Sequence, residues 1–362
     1  MKIVIDIDIP FISGIFEPYA TVSYFAGKEI SNKDLIDADV LIIRTRTKCN
    51  EDLLKGTSLK LIASATIGLD HIDMQYCNRA GIKVVNAPGC NSGGVLQYVF
   101  TALYYLADKK NIKLPIEIKS NKQTFGIIGV GNVGSKVATF AEQLGFEVLR
   151  YDPAKELEQT LQFNSGNLRL SDFKDFYSLD YLLENSDIVS VHICMNSENF
   201  NFINDSIFKK MKKNVIFINT SRGEVVDEEA LLGNVNKLSG VILDVWKNEP
   251  DINNKLLEKV DIATPHIAGY SYEGKVNGTQ MVVNEVANFL KIEKLKNFKI
   301  SAEPIAKNQI LFLENLTQEN LLKYLLENYP IYEDDKNLRN NIKMFEQLRA
   351  KYNYRREFYV NK

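Results

Sequence analysis

The sequence predicts an α/β protein centred on a doubly wound parallel sheet. Six short apolar runs (FGIIG, EVLRYD, IVSVHI, NVIFINT, GVILDV and VDIATP) follow one another from Phe125 to Pro265, with helical patterns between them. Continuous apolar strands of this kind suit a parallel sheet covered by helices on both faces. The first run leads into Gly129-x-Gly131-x-x-Gly134 and then a helical pattern, the turn with which a dinucleotide-binding sheet begins. At 362 residues the chain also exceeds the ~250–300 at which single cores stop growing, so it needs more than one domain.

The elements follow in order. KIVIDI, VLIIRT, LKLIASAT and KVVNA are short β-rich runs separated by turn or amphipathic segments. They predict a second, flavodoxin-like α/β domain over 1–95, joined by 268–290. In GGVLQYVFTALYYLADKK, residues Val95, Tyr98, Val99, Ala102, Leu103 and Leu106 recur at i, i+3, i+4 spacing, which makes a helix with a buried face. The dinucleotide-binding (Rossmann) domain is expected over 96–267, with crossover helices such as SKVATFAEQLG and NDSIFKKMKK. From 291 the character changes. An apolar-faced helix, ILFLENLTQENLLKYLLENY, precedes an acidic turn and a basic stretch, NLRNNIKMFEQLRAKYNYRREFYV. The segment 291–362 reads as a small α/β appendage. A unit of ~70 residues rarely stabilises itself, so it must pack on something, and a second subunit is the candidate.

Composition narrows the function classes. Hydrophobic residues make up 45% and charged residues 25%, as in an ordinary globular protein. A formal net charge of −2 gives no general attraction to nucleic acid or to an anionic membrane. No apolar run reaches the ~18 residues needed to span a bilayer. Asp6 and Asp8 interrupt the first apolar run, which rules it out as a signal-peptide core. The four cysteines, Cys49, Cys77, Cys90 and Cys194, form no C-x-x-C pair, which fits a reducing, cytoplasmic location. His192 and Cys194 share a face of one strand, but no second ligand pair appears, so no metal site is expected.

Each glycine of the loop has its own task. Gly129 permits the turn, Gly131 lets backbone N–H groups approach a pyrophosphate, and Gly134 lets helix and strand pack closely. Asn132 and Val133 complete the loop at the helix N-terminus, whose partial positive charge suits phosphate. Asp152 ends the second strand at about the offset of the acid that binds the ribose hydroxyls. A carboxylate there repels a 2′-phosphate, so NAD rather than NADP is expected. Arg150 would face the other way. Three later strands end in Arg222, in Asp244 with Glu249 shortly after it, and in His266. Strand C-termini of an open parallel sheet form its ligand crevice. Alone, Arg222 reads as a surface ion-pair partner, Glu249 as a solvated turn residue and His266 as a core histidine. Together behind a dinucleotide loop they fit alcohol oxidation. A histidine takes the hydroxyl proton, a glutamate fixes its tautomer, and an arginine forks onto a carboxylate. Arg44, Arg46 and Lys48 alternate after VLIIRT and suit a phosphate, the alternative being a solvated basic edge.

GVGNVG, N-x-x-R-G-x-x-V-D, L-D-V-W-x-x-E-P and P-H-I-A-G together resemble the D-isomer-specific 2-hydroxyacid dehydrogenases. RTRTKCNEDLL, SATIGLDHID, NAPGCN, HIAGYSYEGKVNGT and the tail strings YPIYEDDKNLR and FEQLRAKYNYRREF resemble one branch of that family. That branch serves vitamin B6 synthesis and oxidises a four-carbon phosphorylated 2-hydroxy acid. The resemblance implies that Arg222, Glu249 and His266 are catalytic, with His266 as the acid/base. It implies cofactor contacts at Asp152, Cys194, Thr220, Ser221, Arg222, Asp244 and Gly269, and substrate contacts at Thr45, Thr66 and Tyr270, to which the basic loop adds Arg44. It also implies a homodimer formed through the C-terminal extension. Ile193-Cys194-Met195 departs from the family, where proline usually follows the histidine, which puts the backbone contact near Cys194 in question. His71 reads as structural. Two rivals remain: another 2-hydroxyacid dehydrogenase, for example one acting on 3-phosphoglycerate, and a non-catalytic NAD-responsive binding protein on the same fold.

Overall fold

The computed structural model describes residues 1–116, 123–165, 167–301 and 303–361. They form two compact units, Met1–Asn91 with Ser271–Pro304, and Ser92–Tyr270 with Ile305–Lys362.

The first unit holds β1 (Lys2–Asp6), β2 (Thr21–Phe25), β3 (Val40–Ile43), β4 (Leu61–Ser64) and β5 (Lys83–Val85). They pair in parallel in the order β2-β1-β3-β4-β5, the flavodoxin-like order. β3 and β4 are buried along their whole length, which is why they read as unbroken apolar runs. β2 was not anticipated. It is an edge strand, half-exposed along most of its length, and its TVSYF alternates polar with apolar residues. The helix Tyr272–Leu290 returns to this unit and packs Val282, Val283, Val286 and Ala287 into one cluster with Ile3, Ile5, Val40 and Leu61.

The second unit contains β6 (Thr124–Ile128), β7 (Glu147–Tyr151), β8 (Ile188–Val191), β9 (Ile216–Asn219), β10 (Gly240–Leu243) and β11 (Ile262–Ala263), all parallel, in the order β11-β10-β9-β8-β6-β7. All six expected strands are present. The order reverses at β6, which pairs with β7 on one side and β8 on the other. A crevice opens beyond the strand C-termini at such a switch point. The helix Ser92–Lys109 is buried on more than one face, and Tyr98, Leu103 and Leu106 enter the sheet core.

Beside the expected partition into 1–95 with 268–290, 96–267 and 291–362, the tail from Ile305 packs within the second unit. The cause is apolar burial. From the tail, Leu311, Leu321, Leu325, Tyr329, Ile331 and Phe358 share one core cluster with Tyr98, Leu103 and Phe140. β12 (Ile310–Phe312) and β13 (Tyr359–Asn361) add a two-stranded parallel sheet. The helix Ile331–Asn340 also covers the sheet edge. Asp335 Oδ1 accepts the Ala263 N–H of β11 at 2.7 Å, and Arg339 donates to the carbonyls of Leu257 and Val260. An edge strand only two residues long is thereby closed to other chains.

Candidate active site

The turn after β6 is shaped by close approach. Gly129 has φ +89°, and a Cβ on it would meet the His192 carbonyl carbon at 2.9 Å. A Cβ on Gly134 would lie 1.9 Å from the Gly129 oxygen, so helix and strand touch there without a side chain between them. Gly131 faces open space, as backbone that must receive a phosphate should. It begins the helix Asn132–Gln143 with no side-chain cap, so the first-turn amides of Asn132, Val133 and Gly134 remain for an anion. Asp152 accepts the Val130 N–H at 2.8 Å on Oδ2 and the Lys155 N–H at 3.0 Å on Oδ1. A carboxylate offers about four acceptor positions, so these two bonds anchor it to the loop and leave capacity for ribose hydroxyls. Arg150 is buried and paired with Glu142, turned away as the alternation requires. These residues fit an NAD. At the departure point Cys194 is exposed, and its carbonyl accepts the Asn199 side chain at 2.8 Å. Neighbouring His192 contacts Ser190 Oγ at 2.9 Å and Thr220 Oγ1 at 3.5 Å, and burial pushes its ring down to about 3. It is neutral at working pH and is not a proton-transfer candidate.

The turn after β9 is built by Asn219. Its Oδ1 accepts the Ser221 amide and hydroxyl, and its Nδ2 donates to the Arg222 carbonyl. Thr220, Ser221 and Arg222 are thus drawn into one tight loop, in which Arg222 Nη1 donates to the Ser221 carbonyl at 2.8 Å. Gly223 follows because the next turn presses on it: a Cβ would lie 1.9 Å from the Trp246 carbonyl carbon. That next turn carries Glu249, and the backbone contact fixes the two loops against each other.

His266 adopts φ +55°, a left-handed conformation uncommon for a residue with a side chain. Asp244 supports it. The carbonyl of Asp244 accepts the His266 N–H at 2.7 Å, and its carboxylate accepts the N–H groups of Ile267 and Ala268, each at 2.8 Å. Thr264 Oγ1 donates to the same carboxylate at 2.7 Å, so its own contact at 2.7 Å is received from the Tyr98 hydroxyl. Burial pushes the Asp244 carboxyl up, against the pull of His266, Thr264 and the two amides. Asp244 therefore anchors the loop that presents the histidine, a role the resemblance did not supply. Glu249 Oε2 lies 2.7 Å from His266 Nδ1, and its Oε1 accepts the Trp246 N–H at 3.0 Å. Burial alone would raise this carboxyl. His266, the bond between them, Arg349 and the Trp246 amide outweigh burial and hold it below its usual range. An ionised Glu249 accepts from Nδ1–H, which directs the other ring nitrogen, Nε2, toward a reactant.

Three of the expected substrate residues belong to the first unit. Thr45 is exposed, and Thr66 Oγ1 lies 2.7 Å from Ser64 Oγ. Arg44 and Arg46 do turn to one side, as their alternation implied. Arg44 meets Asp8 at 3.1 Å and Asp6 at 3.5 Å, and Arg46 meets Asp8 at 3.8 Å. The two carboxylates offset part of the basic charge. His71 contacts Ser64 at 3.5 Å.

Residues 105–268 match the family described as D-isomer specific 2-hydroxyacid dehydrogenase, NAD binding domain. The chain is 41% identical over 365 aligned residues to the erythronate-4-phosphate dehydrogenase of Bacteroides fragilis, covering 99% of this chain and 97% of that one. The chain belongs to the erythronate-4-phosphate dehydrogenase family. Among solved structures, it resembles Aquifex aeolicus D-lactate dehydrogenase complexed with NAD and lactic acid, with TM-score 0.65, 27% identity and 84% of this chain and 100% of that one covered. It also resembles NAD⁺-bound 3-phosphoglycerate dehydrogenase of Entamoeba histolytica, with TM-score 0.64, 26% identity and coverage of 84% and 99%.

For an erythronate-4-phosphate dehydrogenase family member, the tail holds what the sequence did not reveal. Arg349 Nη1 lies 3.7 Å from Glu249 Oε2 and 3.0 Å from Glu346 Oε1. Arg355 is buried over the Tyr329 ring, 4.1 Å from its centroid. It donates to the carbonyls of Gly94, Ile267, Ala268 and Tyr270. Gly269 and Tyr270, expected to contact cofactor and substrate, therefore lie on a loop clamped by Arg355. The Tyr270 ring meets Tyr352 and Tyr354 edge-on. The available signal was arginine among apolar and aromatic residues in KYNYRREF, since a buried arginine needs a full set of acceptors.

Proposed function

We propose that this chain oxidises 4-phospho-D-erythronate to the corresponding 2-oxo acid with NAD, in pyridoxal 5′-phosphate synthesis. One observation carries the reading: His266 Nδ1 is held 2.7 Å from a largely buried, ionised Glu249 at the end of an NAD-binding sheet. With Nδ1–H bound there, Nε2 takes the 2-hydroxyl proton and returns it in the reverse reaction. Glu249 stabilises the imidazolium that forms. Arg222 forks onto the substrate carboxylate and polarises the neighbouring oxygen. Gly129, Gly131, Asn132, Val133, Gly134 and Asp152 hold the dinucleotide, with Thr220 and Ser221 beside it, and Cys194 and Gly269 supply backbone contacts. When bound, its nicotinamide is the hydride acceptor. Arg44, Thr45, Thr66 and Tyr270 hold the phosphorylated acid.

The tail favours this substrate over 3-phosphoglycerate. The D-lactate and 3-phosphoglycerate dehydrogenase structures cover 84% of the chain, whereas the erythronate-4-phosphate relative covers 99%. The tail also exposes Phe312, Tyr332, Met344 and Tyr359, a surface suited to a second copy of the chain. The free thiols of Cys49, Cys77, Cys90 and Cys194 suit the cytoplasm.

The test is a panel of 4-phospho-D-erythronate, D-erythronate, 3-phospho-D-glycerate and D-lactate with purified protein and NAD or NADP, with light scattering for mass. Turnover of the first with NAD, by a dimer, is expected. Preference for an unphosphorylated acid would overturn the substrate, preference for NADP the cofactor, and a monomeric mass the dimer.

A further inference from the structure

The tail supplies a cation to the proton-transfer pair of its own unit. Arg349 lies on the short helix Phe345–Ala350, about a hundred residues from Glu249 in sequence. Its Nη1 stands 3.7 Å from Glu249 Oε2, the same oxygen that faces His266 Nδ1. Arg349 also hydrogen-bonds Tyr270, pairs with Glu346 at 3.0 Å and lies over the Phe345 ring, 5.9 Å from its centroid.

We infer that Arg349 is a positioning residue for the reaction: it sets the charge balance of the Glu249–His266 pair and holds Tyr270 beside it. The C-terminal segment is then part of the active site as well as a docking surface. The kinetic consequence rests on the dehydrogenase reading above; the electrostatic one does not.

The charges around the pair show why a cation is needed. Two carboxylates act on His266. Glu249 touches its ring, and Asp244 lies beneath the loop and feels its charge. Both favour imidazolium, whereas a hydroxyl proton can be taken only by the neutral ring. Arg349 opposes them at the Glu249 oxygen that also faces His266, and helps keep that carboxyl ionised. Glu346 and Tyr270 face Arg349 itself and moderate its charge. The structural burden of the tail falls elsewhere, on buried Arg355 with its carbonyl partners.

The test uses the full-length protein. The chain has three histidines, so ring resonances can be followed by NMR and that of His266 identified by its absence in H266Q. Arg349→Gln should raise the His266 titration midpoint by about one pH unit, and Arg349→Lys, which keeps the charge, should restore most of it. Glu346→Gln should move the midpoint down. In turnover with 4-phospho-D-erythronate, R349Q should lose about tenfold in kcat/KM on the acid side and recover as pH rises. An unmoved midpoint in R349Q, or a loss of kcat/KM equal at every pH, would overturn the inference. If R349Q does not fold, E346Q decides: a midpoint unchanged or raised would overturn it. The NMR comparison needs no substrate. Absence of turnover in the unaltered protein would therefore count against the proposed function alone.

Discussion

Gly223→Ala tests how Arg222 is placed. The added methyl would sit 1.9 Å from the Trp246 carbonyl carbon, 2.1 Å from its oxygen and 2.3 Å from the Lys247 nitrogen. These are backbone atoms of the turn leading to Glu249, so no rotamer change relieves the overlap. Reaching ordinary contact requires the two loops to part by roughly 1.5 Å, a change that costs ~1–3 kcal/mol as overpacking. A misplacement of ~1 Å in a positioned catalytic group costs on the order of 10²-fold in rate, or about 2.7 kcal/mol of barrier. G223A should therefore lower kcat/KM by about a hundredfold. NAD affinity should fall as well, because Thr220 and Ser221, assigned beside the dinucleotide, lie on the same tight loop as Arg222. The control is Gly233, exposed on the helix Glu228–Asn234 with nothing within 4 Å of an added methyl. G233A should raise stability by ~0.5–1 kcal/mol and leave turnover unchanged. Steady-state kinetics, NAD titration and thermal melts on both variants complete the comparison. Wild-type kcat/KM in G223A would refute the claim that this backbone contact places Arg222.

The other predictions concern the residues around His266. H266Q should bind NAD within about twofold of the unaltered protein and lose ~10²–10⁴-fold in turnover; an active variant would remove His266 from the chemistry. Glu249 has a folded-state pKa below its unfolded value of 4.5, so its stabilising contribution is present above that value and lost as pH falls through the folded one. E249Q should accordingly be less stable than the unaltered protein in urea at pH 7, with the gap closing below about pH 4.5; a gap independent of pH would contradict the ion pair. D244N places an amide against the N–H groups of Ile267 or Ala268 and should destabilise by ~1–3 kcal/mol. Hydrogen exchange at those two amides should quicken, and unchanged protection would show that Asp244 does not hold the loop.

What the sequence made visible and what it hid divide along a physical line. The six strands of the NAD-binding sheet are short and buried on both faces, so each shows as an apolar run. Gly134 is dictated by a contact within one strand-turn-helix unit: a Cβ there would meet the oxygen of Gly129, five residues away. His266 and Glu249 could be paired because both follow strands whose C-termini must meet in one crevice. β2 escaped because an edge strand need not be apolar on both faces. The basic loop after β3 was half legible. Alternation showed that Arg44 and Arg46 share a side, but the acids they meet, Asp6 and Asp8, lie at the end of β1. No local pattern joins two strands that pair only after folding.

The tail is the extreme case, and it alters how the site should be understood. A run of ~70 residues with an apolar helix must find an apolar surface, and the sequence cannot say whether that surface belongs to a partner or to the same chain. The structure sets Leu321, Leu325 and Tyr329 against Tyr98. That burial brings Asp335 to the edge of β11 and Arg355 to the carbonyls after His266. Once the tail is seated by its apolar face, its polar residues lie against β11 and the loop that carries His266. A left-handed His266 needs its neighbours fixed to persist, and Asp244 from below and Arg355 from the tail fix them. Loss of the tail should therefore act on the histidine loop of the same chain even where no second copy is bound.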